Sequence, residues 1–178
     1  MGWISKRLYK ALGWHIRGSF PSSVKKMVVI AVPHTSWHDF YMGLIFRSVL
    51  DEEINFLGKK ELFKWPFGIF FRSLGGTPLN RVKGQNQVEQ ISALFAKKDI
   101  FRLALSPEGT RRKVDTWKTG FYYIALKAQV PILPVTMNFK DKEHHIGDLF
   151  YPTGDITKDM IELRSFFKNI KGKVPENS

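Results

Sequence analysis

Dense, β-branched apolar runs alternate along this chain with segments whose apolar residues recur every three to four positions, and that alternation leaves few folds open. The run Lys26–Val32 reads Lys-Met-Val-Val-Ile-Ala-Val and stops at Pro33, the pattern of a buried strand. Further short strands are predicted at Ile54–Leu57, Thr77–Asn80, Phe101–Leu105 and Ile132–Asn138. Helices are predicted between and after them: Phe40 to Leu50 with Asp39 as cap, Glu61–Leu74, Gln85–Lys98, Gly120–Ala128, and Lys158 to Ile170. Pro66 breaks or kinks the second of these, and Gly75-Gly76 ends it. Strands spaced by helices specify an α/β fold, a single domain with a mixed, mostly parallel sheet flanked by helices. The chain shows no internal repeat, low-complexity tract or linker to divide it.

Composition narrows the function classes. The 28 Lys and Arg outnumber the 16 Asp and Glu, and the net charge of +12 implies an anionic partner: nucleic acid, an anionic membrane surface or an acidic carrier protein. The cations are dispersed rather than gathered into a stripe, which argues against nucleic acid, and 15 Phe with 5 Trp suit a protein that faces lipid. The absence of Cys excludes disulfides, thiolate metal sites and a cysteine nucleophile. No run approaches the roughly 20 apolar residues of a membrane span. Basic residues scattered from Met1 to Pro21 do not make a signal peptide, so a cytoplasmic location is expected. In that segment Ile4, Leu8, Ala11, Leu12 and His15 recur at helical spacing, with Trp3, Tyr9 and Trp14 at the edges and Lys6, Lys10 and Arg17 elsewhere. Residues 1–20 are therefore expected to form an amphipathic helix lying on the inner face of the cell membrane, ahead of a domain spanning 21–178. A helix packed on its own domain with a solvated basic face is the alternative.

Three places carry chemistry. Pro33-His-Thr-Ser-Trp-His-Asp39 lies where a buried strand gives way to a helix, a position at which open α/β sheets commonly hold their active groups. Four residues separate His34 from Asp39, enough for the carboxylate to turn back and accept the histidine's Nδ1–H, leaving Nε2 as a base. His38 is a rival base in the same segment. Ser106-Pro-Glu-Gly-Thr-Arg-Arg112 follows a strand directly, and its Pro107 and Gly109 shape a turn from which Thr110 and Arg111 project. An Arg there suits a phosphate or carboxylate, unless it is simply solvated. Gly75-Gly-Thr-Pro-Leu-Asn-Arg81 again leads from a glycine turn to an Arg. The pair His144-His145 has no spaced acidic or histidine companions, so no metal site is expected and the pair reads as a solvated turn or strand end.

The order of these segments resembles the glycerolipid acyltransferase family, whose members include the lysophosphatidic acid (1-acylglycerol-3-phosphate) acyltransferases. HTSWHD matches its His-x4-Asp block, GGTPLNR its glycine-led block ending in Arg, PEGTR its third block, and VPILPV around Pro131 and Pro134 its fourth. The likeness spans residues 24 to 138, with a further family-like WKTGF at Trp117–Phe121. It implies an acyltransferase domain that moves a fatty acyl group from acyl-CoA or acyl carrier protein to the hydroxyl of lysophosphatidic acid or a related lysolipid. His34 and Asp39 would then form the general-base dyad, and Arg81, Glu108, Gly109, Thr110 and Arg111 would bind substrate, Glu108 either positioning the acceptor or pairing with a nearby Arg. A thioester is already activated, so neither an enzyme nucleophile nor a cofactor is implied. Backbone N–H groups near the first block are expected to stabilise the oxyanion. The second block reads Thr-Pro-Leu-Asn-Arg where many relatives have Phe or Ile and then Asp, which leaves other lysolipid acceptors open. The aromatic stretch Trp65–Phe71 can line an acyl groove, dip into a bilayer or be core, and Lys113 and Lys118 stand near the third block. Two readings compete with acyl transfer: hydrolysis of an acyl thioester by the same dyad, and a basic membrane-binding module without catalysis.

Overall fold

The computed structural model describes residues 2–79 and 86–178. In chain order the elements are α1 (Gly2–Ala11), β1 (His15–Arg17), β2 (Lys26–Val32), α2 (His38–Leu50), β3 (Asn55–Lys59), α3 (Phe67–Ser73), β4 (Gly76–Leu79), α4 (Gln87–Lys97), β5 (Phe101–Leu105), α5 (Gly120–Ala128), β6 (Ile132–Thr136), β7 (Glu143–His145) and α6 (Ile156–Ser165). Five strands form one sheet in the order β4-β3-β5-β2-β6, and each described pairing in it is parallel. Pro78 and Pro134 sit in β4 and β6, the two edge strands, where a residue without an N–H is tolerated.

The interior strand β2, paired on both sides, explains why its run is apolar throughout. Val28, Ile30 and Val32 turn to one face and pack in a core that includes Phe95 of α4, Tyr122 and Ile124 of α5, and Leu163 of α6. Met27 and Val29 turn to the other face and pack against Phe46 of α2, Leu133, Val135 and Ile146. Helices on both faces are what a parallel sheet requires. At the amino end of the sheet, buried Arg102 of β5 pairs with Glu52 at 2.7 Å and donates to the carbonyls of Ser22 (2.7 Å) and Val24 (2.9 Å), so its guanidinium is well satisfied.

Several expectations change. Glu61–Leu74 is two pieces, a 3₁₀ turn over Lys60–Phe63 and then α3, divided at Trp65-Pro66. The last helix begins at Ile156, capped by the Asp155 carboxylate accepting from the Lys158 N–H, and ends at Ser165, short of Ile170. Helix α2 starts at His38, so Asp39 lies inside its first turn instead of capping it. Of the two expectations for His144-His145 the strand end holds, since the pair closes β7, which pairs in parallel with β1; His145 is partly exposed, but His144 is 1% exposed and not solvated. Phe46 and Trp14 pack their rings on His144, and burial pushes its imidazole down to about 3.

Helix α1 packs on α2 through its small residues. The hydroxyls of Ser5 and Ser48 are 2.6 Å apart, and Gly2 faces the Ser48 carbonyl. Tyr9 and Trp14, expected at the helix edge, are buried instead; the Tyr9 hydroxyl lies 2.6 Å from His144 Nδ1 and donates to the His15 carbonyl. Trp3, Ile4, Leu8 and Leu12 remain exposed, so the apolar stripe of α1 points away from the domain. No helix among the described residues is long and apolar enough to cross a membrane.

Candidate active site

Beyond the carboxyl end of β2 the chain turns through Pro33–Trp37 into α2, and the turn is built around one carboxylate. Asp39 Oδ2 accepts from two donors, the Thr35 N–H at 2.7 Å and the Ser36 N–H at 2.8 Å, and His34 Nδ1 lies 3.0 Å from the same oxygen. The two backbone bonds fix the carboxylate, and the fixed carboxylate in turn fixes the ring. Asp39 is buried, whereas the His34 side chain is 25% exposed and its Nε2 has no hydrogen-bond partner among the described residues. His38, the rival base, is used differently: its Nδ1 sits 2.8 Å from the Ser36 hydroxyl and its ring stacks on Trp37. The structure thus brings His34 and Asp39 together and leaves His38 without a carboxylate.

The loop after β5 supports the same histidine. Glu108 Oε2 accepts the His34 backbone N–H at 2.6 Å and the Ser106 hydroxyl at 3.1 Å. Among the described residues its hydrogen-bond partners are therefore the backbone and a serine, not an arginine. Burial raises the Glu108 carboxyl above the ordinary carboxylate range, although both hydrogen bonds favour its charged form. With Glu108 and Asp39 in place, the N–H groups of His34, Thr35 and Ser36 are each given to a carboxylate. These three are not free to bind an oxyanion. Gly109 holds φ +63°, a left-handed turn that favours glycine, with the end of the Lys118 side chain lying across it.

His34 stands where two spaces meet. One is an open groove of about 990 Å³ in which Gly109, Thr110, Arg111, Arg112 and Lys118 face apolar residues such as Phe56 and Phe121. The other is a smaller cavity of about 220 Å³, mostly apolar, between α2 and the strands β3 and β5. Arg111 and Lys118 therefore lie in the same groove as His34, whereas Lys113 lines a separate cleft near Trp117. Strand β4 leads to Leu79, which lines the groove; Arg81, two residues on, lies outside the described residues. The Trp65–Phe71 stretch is not core: Trp65 is 86% exposed, with Phe67, Ile69 and Phe70 also out, while Phe71 lines the groove. Ser106, which tethers Glu108, had no signal beyond its place in the block.

A histidine–aspartate pair beyond an interior strand of a parallel sheet, beside a cation-rimmed groove, occupies the position at which open α/β sheets commonly hold their active groups. The chain belongs to the acyltransferase family, whose model, described as Acyltransferase, matches residues 14–138. It is similar to human 1-acyl-sn-glycerol-3-phosphate acyltransferase beta, 27% identical over 170 residues covering 91% of this chain and 60% of that protein. It is also similar to the 1-acyl-sn-glycerol-3-phosphate acyltransferase of Haemophilus influenzae, 30% identical over 136 residues, covering 72% of this chain and 56% of that one. The chain therefore spans somewhat over half the length of these relatives. Its fold matches the crystal structure of the 1-acyl-sn-glycerophosphate (LPA) acyltransferase PlsC from Thermotoga maritima, with TM-score 0.61 and 21% identity over 93% of this chain and 74% of that one.

Proposed function

We propose that the protein transfers a fatty acyl group from acyl-CoA or acyl carrier protein to the free hydroxyl of lysophosphatidic acid or a related lysolipid. The observation that carries this reading is His34 held at 3.0 Å from Asp39, with its Nε2 open at the meeting point of the apolar cavity and the cation-rimmed groove. Nε2 takes the proton of the acceptor hydroxyl as its oxygen attacks the thioester carbonyl. Asp39 stabilises the imidazolium, the tetrahedral intermediate collapses with cleavage of the C–S bond, and the proton passes from Nε2 to the departing thiolate. The donor's acyl chain lies in the cavity, and Arg111 with Arg112 and Lys118 receives the acceptor's phosphate in the groove. Arg81 is assigned to the same phosphate on its place in the second block. Glu108 sets the position of His34 through its backbone and does not touch substrate. No cofactor is needed, since the thioester supplies the activation.

The test is to incubate the purified protein with acyl-CoA or acyl carrier protein and a panel of lysolipids, following diacyl product by mass spectrometry alongside free thiol. Product that depends on the acceptor supports transfer; thiol release at full rate without any acceptor identifies a thioesterase instead.

The acceptor is a membrane lipid, and the exposed stripe of α1 together with the net charge of +12 supports docking at an anionic bilayer. Ile4→Glu with Leu8→Glu is expected to reduce sedimentation with anionic vesicles at least tenfold, the effect of placing two carboxylates where apolar surface inserts. These side chains are exposed, at 67% and 47%, so the variant should fold with an unaltered melting temperature. Vesicle binding equal to wild type would remove α1 from the docking surface.

A further inference from the structure

A cleft of about 640 Å³ lies between the end of α1, the start of α2 and residues 171–175, apart from both spaces that meet at His34. Its floor is apolar: Trp14 and Met42 are buried there, and the Phe139 ring stands edge-on to Trp14 at 4.9 Å. Its rim is cationic, with Lys140 and Lys142 on one lip and Lys171 and Lys173 on the other. No acidic side chain lines the cleft among the described residues, and Asp141, next in sequence to two of the lysines, is turned to Asn138 Nδ2 at 2.7 Å. The Lys142 ammonium donates to the Leu12 carbonyl at 2.9 Å, just beyond α1. Lys140, Lys171 and Lys173 have no ion pair or side-chain hydrogen bond among the described residues. Four like charges around one opening repel one another, and an anion between them removes that cost.

The chemistry of the walls favours an amphiphilic anion. An inorganic ion would meet the lysines and leave Trp14, Met42 and Phe139 uncovered, whereas a phospholipid meets both. The cleft is also continuous with the outward stripe of α1, because Leu12 lines the one and, at 41% exposed, ends the other. A headgroup held among the lysines leaves its chains to follow that stripe into a bilayer.

The lip bearing Lys171 and Lys173 reaches the active site. The Lys171 carbonyl accepts the Phe139 N–H at 2.8 Å, which joins the two lips. Gly172 is buried against Thr35, so close that a Cβ on it would stand 2.5 Å from the threonine hydroxyl oxygen. The Val174 N–H donates to that hydroxyl at 3.2 Å, and the Thr35 N–H donates to Asp39. Residues 171–174 therefore strap down the segment that holds the Asp39 carboxylate.

We infer that the lysine cleft holds the phosphate head of an anionic bilayer phospholipid, and that its occupation steadies the 171–174 strap on Thr35. His34 does not line this cleft, so the lipid held there is a ligand and not an acceptor. Acyl transfer is not required for the binding.

The probe is monomeric dihexanoyl phosphatidylglycerol, compared with dihexanoyl phosphatidylcholine and with inorganic phosphate at matched ionic strength, each read as a rise in melting temperature. Phosphatidylglycerol should raise the melting temperature of wild type and the other two should not. Lys171→Gln with Lys173→Gln should raise its apparent Kd about thirtyfold, the worth of two cations beside an anionic head. Both side chains are exposed, so without lipid this variant should melt with wild type. Lys97→Gln with Lys158→Gln removes the same charge from α4 and α6 and should keep Kd within about threefold, since distant exposed charges are screened. With the probe at about ten times its Kd, amide exchange at Phe139 and Val174 should slow about tenfold, because opening the strap releases the lipid. Phosphatidylcholine binding as tightly, or the Lys171 and Lys173 variant binding like wild type, would overturn the site. An equal rise with inorganic phosphate would overturn the choice of a lipid. Lipid binding that leaves both amides exchanging at the free rate would overturn the link to Thr35. No acyl donor is present in either measurement, so a failure of acyl transfer is read separately.

Discussion

Alanine at His34 is expected to lower acceptor-dependent acyl transfer by about 10²- to 10⁴-fold, the usual worth of a positioned general base. The acceptor hydroxyl has a high pKa, so its oxygen is a poor nucleophile until the proton is taken during attack. His34 is the one imidazole in the motif whose second nitrogen is anchored on a carboxylate, at 3.0 Å from Asp39. The loss should fall on the chemical step, with kcat reduced far more than KM is raised. Asp39→Asn should also lose activity, and for a double reason. The amide cannot stabilise the imidazolium 3.0 Å away, and it cannot accept as an anion from the Thr35 and Ser36 N–H groups together. His38→Ala is the discriminating control, because His38 leans on Ser36 and Trp37 and has no carboxylate behind it. Rates are read as lipid product per unit time beside free thiol. A His34→Ala protein within threefold of wild type, or a His38→Ala protein with the larger loss, would move the base. Thiol release that ignores the acceptor and vanishes with His34 would leave the dyad in place but make water the acceptor.

Acidification should cost the fold several kcal/mol between about pH 6.5 and pH 3, through one residue remote from the dyad. His144 is fully buried between Phe46, Trp14 and Tyr9, and burial takes its imidazole from 6.5 down to about 3. Below 6.5 the unfolded chain binds a proton at this position that the folded chain refuses until about pH 3. Its stabilising contribution is therefore complete above 6.5 and is lost as pH falls through that window, on the order of 4–5 kcal/mol in all. Typical domains have only about 5–15 kcal/mol to lose. Glu108 acts with the opposite sign. Its carboxyl is raised by burial, so the folded state holds that proton to higher pH than the unfolded chain, and Glu108 takes stability away as pH rises above its ordinary value. The two slopes are separable by mutation. Urea midpoints measured across the window should fall steeply with acid in wild type, and far less in His144→Leu, which keeps the volume and leaves Tyr9 its bond to the His15 carbonyl. Parallel curves for the two proteins would assign the acid transition to other groups.

What was legible in the chain was what local patterns determine. The strand Phe101–Leu105 and the helix Gly120–Ala128 appear with the expected ends, and β2 lies where its apolar run stops at Pro33. The closeness of His34 to Asp39 was allowed by the four intervening residues but not fixed by them, since a helix-capping Asp39 and a rival His38 fitted the same spacing; the order of the blocks singled it out. The strands β1 and β7 were not. Each has three residues, polar for the most part, and pairs with a partner more than a hundred positions away, so neither carries a period of its own. The same pairing buries Tyr9, Trp14 and His144, which explains why amphipathic reasoning put the two aromatics at a lipid edge. That Glu108 accepts the His34 backbone N–H was not legible, because sequence cannot display the main chain of a loop 74 positions away.

The outward stripe of α1 also governs how copies of the protein treat one another. Trp3 and Ile4 on that helix, and Trp65, Phe67 and Ile69 near α3, are all more than half exposed, an unusual load of uncovered hydrocarbon for a chain of this size. At low ionic strength a net charge of +12 keeps such copies apart. Near 0.15 M salt, where the Debye length contracts to about 8 Å, that repulsion is screened while the attraction between apolar patches is not. In plain buffer, salt is therefore expected to drive self-association, and lipid or detergent, by covering the patches, to disperse it.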